Sequence, residues 1–343
     1  MVTQQDVARE TGLSQTAVSL ALRNSPDVSA ATIRQVRAAA RKLGYRPDPL
    51  ISALMAQRHK RHKDAFRAKI AYLHGHLERD VWKTFAYAAG CFNGAKRAAA
   101  ERGYVCEPVW LREPGISAAR LSQILWTQNV QGLLFAPLPV DFPLLQIDWG
   151  KFAALSLDYS LLHPVLNRVV DDHAFGIERV LSEVGRRGYQ RPGLVLRASQ
   201  DVRTHHSRLA VFLVQLRLHP EWQHVPPLIL PEDRWDDRLF VEWLRRERPD
   251  VVLTEEFELP AAVRAAGLRV PRDLGIAFFH KEQPAKTLSG LRIDSAQIGA
   301  TAANILIRMI ETNERGPARV PTTTLVQSFN WNDGRTLRRP LKS

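Results

Sequence analysis

Five residues punctuate the first stretch of this chain: Thr3, Gly12, Ser14, Ser29 and Gly44 stand where helices must begin or end. Thr3 carries a hydroxyl that caps a helix start, Asp6 three residues on accepts from the cap in return, and Val7 and Ala8 supply the apolar face. Gly12, in Thr11-Gly12-Leu13, takes the positive φ of a tight turn, and Ser14 caps a second helix over Gln15 to Leu22. In that helix Val18, Ala21 and Leu22 face inward, while Gln15, Thr16, Ser19 and Leu20 face out. Asn24-Ser25-Pro26-Asp27 breaks the chain. Ser29 then caps a third helix with Ile33, Val36, Ala40 and Leu43 as its stripe, ended by Gly44. Any three-helix bundle needs caps and a Gly turn. A helix-turn-helix needs the further coincidence found here: small Ala8, Gly12 four later, Val18 six after that, and a basic third helix.

Charge points the same way. The 343 residues carry a net +13, and residues 1 to 63 hold eleven Lys/Arg against four Asp/Glu. A basic head suits a polyanion, because neutralising phosphates releases counterions. A basic face kept only for solubility is the plainer alternative from charge alone; joined to the helix pattern, the surplus makes double-stranded DNA the expected partner. The two cysteines, Cys91 and Cys106, are too few and too far apart for a disulfide framework or a zinc site. The start carries Asp6 and Glu10 with no apolar leader, and no run approaches the roughly 20 apolar residues that span a bilayer. The expected location is the cytoplasm, with no membrane contact, no cofactor and no metal.

From Asp64 on, short apolar runs alternate with longer amphipathic ones. Strands are expected at Lys69 to Leu73, Val105 to Val109, Gly132 to Phe135, Phe152 to Leu157, Gly193 to Leu196, Leu228 to Leu230, Val251 to Leu253 and Gly275 to Phe279. Helices are expected at Trp82 to Glu101, Ile116 to Gln128, Ala174 to Glu183, His206 to Leu216, Arg238 to Arg246 and Ala296 to Glu311. Strict alternation implies parallel sheets with helices on both faces. This region is comfortable for two lobes, with a ligand cleft where the carboxyl ends of the strands converge. The expected plan is an all-α helix-turn-helix domain over 1–45, a hinge and linker over 46–63, an α/β two-lobed body over 64–330 and a tail over 331–343.

The head resembles the LacI/GalR family of bacterial transcription regulators in Asp6-Val7-Ala8, Gly12-Leu13-Ser14, Ala17-Val18-Ser19, Val28-Ser29 and Leu43-Gly44-Tyr45-Arg46-Pro47. Looser echoes run through the body, among them Val130-Gln131-Gly132-Leu133-Leu134, Arg208 ahead of Phe212, and Pro249-Asp250-Val251-Val252. The resemblance implies a homodimer on a pseudo-palindromic operator, and a periplasmic-binding-protein-like body with a small-molecule effector, such as a sugar, in its cleft. Carried onto this chain, Gln15, Thr16 and Leu20 read base edges in the major groove, and Thr3, Ser14, Ser19, Arg23 and Tyr45 contact the DNA backbone. Leu20 departs from the Arg common in the family and suits a thymine methyl. Ala53 and Leu54 fall where the family's hinge helix enters the minor groove and wedges a leucine between base pairs.

For the effector, the resemblance implies Asp158, Tyr159, Arg208, Phe257, His280 and Trp82. A carboxylate and a guanidinium in one cleft serve either polyol hydroxyls or an acidic group. His280 stands where many relatives carry an Asp that grips sugar hydroxyls, and the segment 254–259 is about one helical turn short. The aromatic residues suit stacking on a sugar face, though such residues more often pack in a core or at a rim. The expectation is therefore a ligand-controlled transcriptional repressor of carbohydrate genes. A ligand-independent repressor and a DNA-tethered carbohydrate-active enzyme are the alternatives. The enzyme reading is the weaker, because no Gly-x-Ser-x-Gly, Walker-type or Gly-x-Gly-x-x-Gly motif is present. His205-His206 with Asp201, and Asp171-Asp172-His173, have no distant partner at ligand spacing.

Overall fold

The computed structural model describes residues 2–22, 28–45, 68–139, 142, 146–231, 234–281 and 287–341, the side chains of 280 and 281 excepted. The head comprises α1 (Gln4–Thr11), α2 (Gln15–Leu22) and α3 (Ala30–Lys42). Its caps form as the residue types dictate. The Thr3 hydroxyl accepts from the Asp6 N–H at 3.4 Å, and the Asp6 carboxylate accepts from the Thr3 N–H at 2.8 Å, a reciprocal box. Gly12 sits at φ 69° and turns the chain, the Ser14 hydroxyl accepts from the Ala17 N–H, and that of Ser29 from the Thr32 N–H. Val7, Ala8, Val18, Ala21, Val36, Ala39 and Ala40 close the small core.

The body divides into two lobes, each built on a six-stranded sheet. Lobe 1 contains β1 (Lys69–His74), α4 (Ala86–Glu101), β2 (Val105–Trp110), α5 (Ala118–Thr127), β3 (Val130–Phe135), β4 (Ala153–Leu157) and β5 (Asn167–Asp171). It is completed from far along the chain by α11 (Ser295–Glu311) and β11 (Thr323–Val326). Its strand order is β11-β5-β4-β3-β1-β2, all parallel. Lobe 2 contains α6 (His173–Gly185), β6 (Pro192–Arg197), α7 (Ala198–Arg203), α8 (Ser207–Leu218), β7 (Leu228–Leu230) and α9 (Asp237–Glu247). It continues through β8 (Val251–Thr254), α10 (Leu259–Ala265), β9 (Gly275–Lys281), β10 (Gly290–Ile293) and β12 (Phe329–Asn332), in the order β12-β10-β9-β8-β6-β7. The central strands are buried on both faces, as parallel strands covered by helices must be.

The structure departs from the sequence expectations in particular places. The helix expected over Trp82 to Glu101 is broken at Phe85, which is extended and follows a 3₁₀ turn at Val81–Thr84. β5, β10, β11 and β12, and the short helices α7 and α10, were not anticipated, because four to seven residues with polar members such as Asn167 and Arg168 carry little periodicity. β12 runs antiparallel to β10. The reason is topological: β11 ends at the junction of the lobes and the chain enters lobe 2 directly from there, against the direction of its neighbours. The stretch expected as a tail is part of lobe 2. Trp331 and Asn332 lie in β12, Leu337 is buried in the core, and the Arg338 N–H donates to the Tyr189 hydroxyl.

Three chain crossings join the lobes, after β5, after β10 and after β11. They are laced together. The Asp172 N–H donates to the Val326 carbonyl at 3.1 Å, Gln327 Nε2 to Asp172 Oδ2 at 2.9 Å, and the Asp294 N–H to the Ser328 carbonyl at 3.0 Å. Asp172 and Asp294 also cap α6 and α11 through the Phe175 and Gln297 N–H groups.

Candidate functional site

In the head, Gln15 and Thr16 are exposed on the first turn of α2, behind exposed Ser14 at its cap. Leu20 and Ser19 are half-buried, so Leu20 presents only part of its side chain outward. Tyr45 packs partly against the head core. Thr3 is exposed, and its hydroxyl also donates to Asp6 Oδ2 at 2.7 Å, so any phosphate shares it with the capping box. Arg23, Ala53 and Leu54 lie outside the described residues, as does the His280 side chain.

The second site is the seam between the lobes, where the carboxyl ends of strands from both sheets meet. Asp158 and Tyr159 directly follow β4. Asp158 is 9% exposed and sits at φ 64°, a conformation that turns its carboxylate back onto the Tyr159 N–H at 2.6 Å. Its Oδ2 lies 3.8 Å from Arg203 Nε on lobe 2. Burial pushes the carboxyl pKa up, against the pull of Arg203 and His173. The Tyr159 ring lies 4.4 Å from the His205 ring of lobe 2, and the Arg168 guanidinium stands over it at 5.3 Å. The Asp158–Arg203 and Tyr159–His205 contacts put lobe 1 side chains against α7 and the α7–α8 turn, where His205 and His206 are held in the left-handed region at φ 52° and 57°.

Arg208 is buried at 5% exposure, but its fork is occupied: Nη1 donates to both Glu255 oxygens at 2.9 and 3.0 Å. Nη2 lies 3.4 Å from His173 Nδ1, and the guanidinium stands over Phe279 at 4.9 Å. Of the carboxylate and guanidinium expected to serve a ligand, Asp158 pairs with Arg203 and Arg208 with Glu255. Arg197 likewise holds Glu256 through Nε and Nη2, and burial raises the Glu256 pKa against that pull. Trp82 does not face a ligand. It is 3% exposed in the lobe 1 core, edge-on to Phe92 at 5.0 Å and beside His74 at 5.5 Å. Phe257 is 58% exposed and stacked on Phe278.

Among the described residues five buried side-chain polar atoms have no hydrogen-bond partner: His74 Nδ1, Ser156 Oγ, His173 Nε2, Gln200 Oε1 and Asp201 Oδ1. All five belong to residues at or just beyond the carboxyl ends of β1, β4, β5 and β6. Buried groups are ordinarily paired, so orphans that fall at or just beyond the carboxyl ends of strands in both lobes suit a ligand or water there. Sequence reasoning passed over His74, Ser156, Gln200, Arg168 and Arg203. The usable signal was a polar residue at the end of an apolar run, as in Lys69-Ile70-Ala71-Tyr72-Leu73-His74. His206 Nδ1 and Asp201 Oδ2 do pair at 2.6 Å, and His173 Nδ1 approaches Asp171 at 3.2 Å. Among the described residues no three His, Cys, Asp or Glu side chains are grouped to hold a metal, and no helix is long and apolar enough to cross a membrane. A surface cavity of about 410 Å³ lies apart from the seam, on the outer side of lobe 2 between α6 and α8, beside Trp222.

Comparisons with known proteins agree with this architecture. A family model for bacterial regulatory proteins of the lacI family matches residues 3–48, and one for a periplasmic binding protein-like domain matches residues 183–328. A sequence comparison with curated proteins finds no match. Among solved structures, a complex of the transcriptional regulator CelR with cellobiose is similar at 21% identity and TM-score 0.61, over 98% of this chain and 100% of that one. A lac repressor dimer bound to operator and the anti-inducer ONPF follows at 19% identity and TM-score 0.59, over 98% and 99%. The LacI family regulator CCPA from Weissella paramesenteroides, with bound glucose, is 13% identical with TM-score 0.57, over 79% and 98%. With a lacI-type helix-turn-helix head at one end and a two-lobed periplasmic-binding-protein-like body behind it, the chain belongs to the LacI family of DNA-binding transcription regulators.

Proposed function

We propose that the protein is a cytoplasmic homodimer that represses genes of carbohydrate uptake or catabolism, and that a small molecule held between its lobes sets its affinity for a pseudo-palindromic operator. The observation that carries effector control is the group of five orphaned polar atoms gathered at the carboxyl ends of four strands, at a seam spanned by only three chain crossings. Solved relatives of the same fold hold cellobiose or glucose, which supports a sugar-like effector. In the head, Gln15, Thr16 and the outward part of Leu20 read bases, with Ser14, Ser19, Thr3, Tyr45 and Arg23 on phosphates. Ala53 and Leu54 enter the minor groove in a hinge too short to be stable as a helix by itself. Control is then linkage. An effector that prefers one lobe arrangement changes hinge pairing and so operator affinity, by a typical coupling of about 1 to 3 kcal/mol, whereas equal affinity for both arrangements shifts nothing.

A ligand-independent repressor has one observation in its favour: side chains of the two lobes meet directly across the seam, Asp158 with Arg203 and Tyr159 with His205. One experiment separates the readings. Sites are selected from random DNA by the purified protein, with and without a panel of sugars. A palindromic site whose recovery changes with one sugar is the expected result. A palindrome indifferent to every sugar favours the ligand-independent repressor, and no enriched site at all refutes DNA-sequence control.

A further inference from the structure

The effector reading leaves two ligand classes open, a neutral polyol and an acid, and the charges at the seam separate them. Four arginines stand there. Arg197 and Arg208 are neutralised by bidentate contact with Glu256 and Glu255. Arg168 and Arg203 make no such bidentate contact. Arg168 is only 7% exposed, yet among the described residues its guanidinium meets the face of Tyr159 and no carboxylate at bonding distance. Arg203 reaches across from α7 but stops 3.8 Å from Asp158 Oδ2, beyond a hydrogen bond. Asp158 is the carboxylate whose charge both arginines feel. Both guanidiniums thus lean on Asp158, Arg168 nearly closed to water and Arg203 with 35% of its side chain exposed. A buried cation with no carboxylate at bonding distance, such as Arg168, is costly to fold around. The Tyr159 ring, with Arg168 over it, touches His205 of the other lobe, so the unsatisfied charge sits at the seam itself. His173, whose charge Asp158 feels, and Gln200 and Asp201, on α7 with Arg203, carry orphaned buried atoms, an imidazole nitrogen and two acceptor oxygens, which suit hydroxyl groups.

We propose that the cleft takes a polyhydroxylated carboxylate, a sugar acid of the uronic or aldonic type, with its carboxylate between Arg168 and Arg203 and its hydroxyls on His173, Gln200 and Asp201. The proposal rests on the reading of the cleft as the effector site. An Arg fork bonds a carboxylate more strongly than a neutral hydroxyl, and a neutral sugar offers the buried Arg168 no carboxylate.

Calorimetric titration of the full-length protein with D-galacturonate and D-gluconate, beside D-galactose and D-glucose, tests it. One acid is expected to bind at least about tenfold tighter than its neutral counterpart. That ratio should fall toward unity in Arg203→Ala, whose side chain is partly exposed, and in volume-matched Arg168→Met, with folding of each checked by circular dichroism. A neutral sugar that binds as tightly as its acid overturns the acid proposal and leaves the effector reading standing. Absence of binding by all four overturns both. An acid preference that survives in Arg203→Ala and in a folded Arg168→Met overturns the assignment of the carboxylate seat.

Discussion

His74 closes an apolar strand with an imidazole that is 2% exposed and whose Nδ1 meets no partner. Burial, aided by His76 nearby, lowers its pKa from the usual 6.5 to about 4. Across that window the unfolded chain binds a proton that the folded one refuses, so stability rises with pH and is lost as pH falls from 6.5 toward 4. The loss between about pH 7.5 and about pH 5 should be about 2 kcal/mol. Urea titrations at the two pH values measure it, and His74→Gln should remove most of the difference. In the head, Leu20→Arg should move base preference toward guanine at one operator position, because a guanidinium matches the O6/N7 edge that leucine cannot bond; an unchanged binding motif would refute a base-reading place for residue 20. Single residues were legible to different degrees. Asp158 was picked out through the family resemblance, and its place fits that: it directly follows β4, and a strand's end is where a cleft opens. Trp82 misled because an aromatic residue near a strand end has the same pattern whether its ring faces a ligand or, as here, Tyr72 and Phe92.

At the scale of elements, α4 and α11 form the tightest union in the body. A Cβ on Gly94 would meet the Ala296 carbonyl oxygen, and one on Gly299 the Cys91 carbonyl oxygen, so the two backbones approach without side chains between them. Backbone cannot yield as a flexible side chain does. Gly94→Ala should therefore cost about 3 kcal/mol, more than its helix propensity returns, and a denaturation midpoint unchanged from wild type would show that the helices can part cheaply. The long elements were readable from sequence because period and length reinforce each other: Ile298, Ala302, Ile305 and Met309 already outline the inner face of α11, and three of the four are fully buried while Ile305 packs partly buried against the same core. The strands β5, β10, β11 and β12 were not. Four or five residues offer two turns of alternation at most, and β5 buries Asn167, Arg168 and Asp171 beside Val169 and Val170, which hides the apolar run a central strand usually shows.

At the scale of the molecule, the lobes touch across the seam through few groups, and the Tyr159–His205 ring contact is the closest of the aromatic ones. Tyr159→Ala should loosen closure. Small-angle scattering is expected to give a larger radius of gyration, and operator affinity to change by about 1 kcal/mol; identical values for both would mean that the ring contact does not hold the lobes. Two lobes were predictable from the number of strand and helix segments, whereas the three crossings were not, since nothing local in Asp172, Asp294 or Gln327 announces that the chain there changes lobes. Those crossings have a consequence in time. The nascent chain leaves lobe 1 after β5 and supplies α11 and β11 only after the elements of lobe 2 through β10 have been made. Until then the glycine-bearing flank of α4 stays uncovered while the ribosome is still at work, so lobe 1, begun before lobe 2, is completed only after most of lobe 2 has been made.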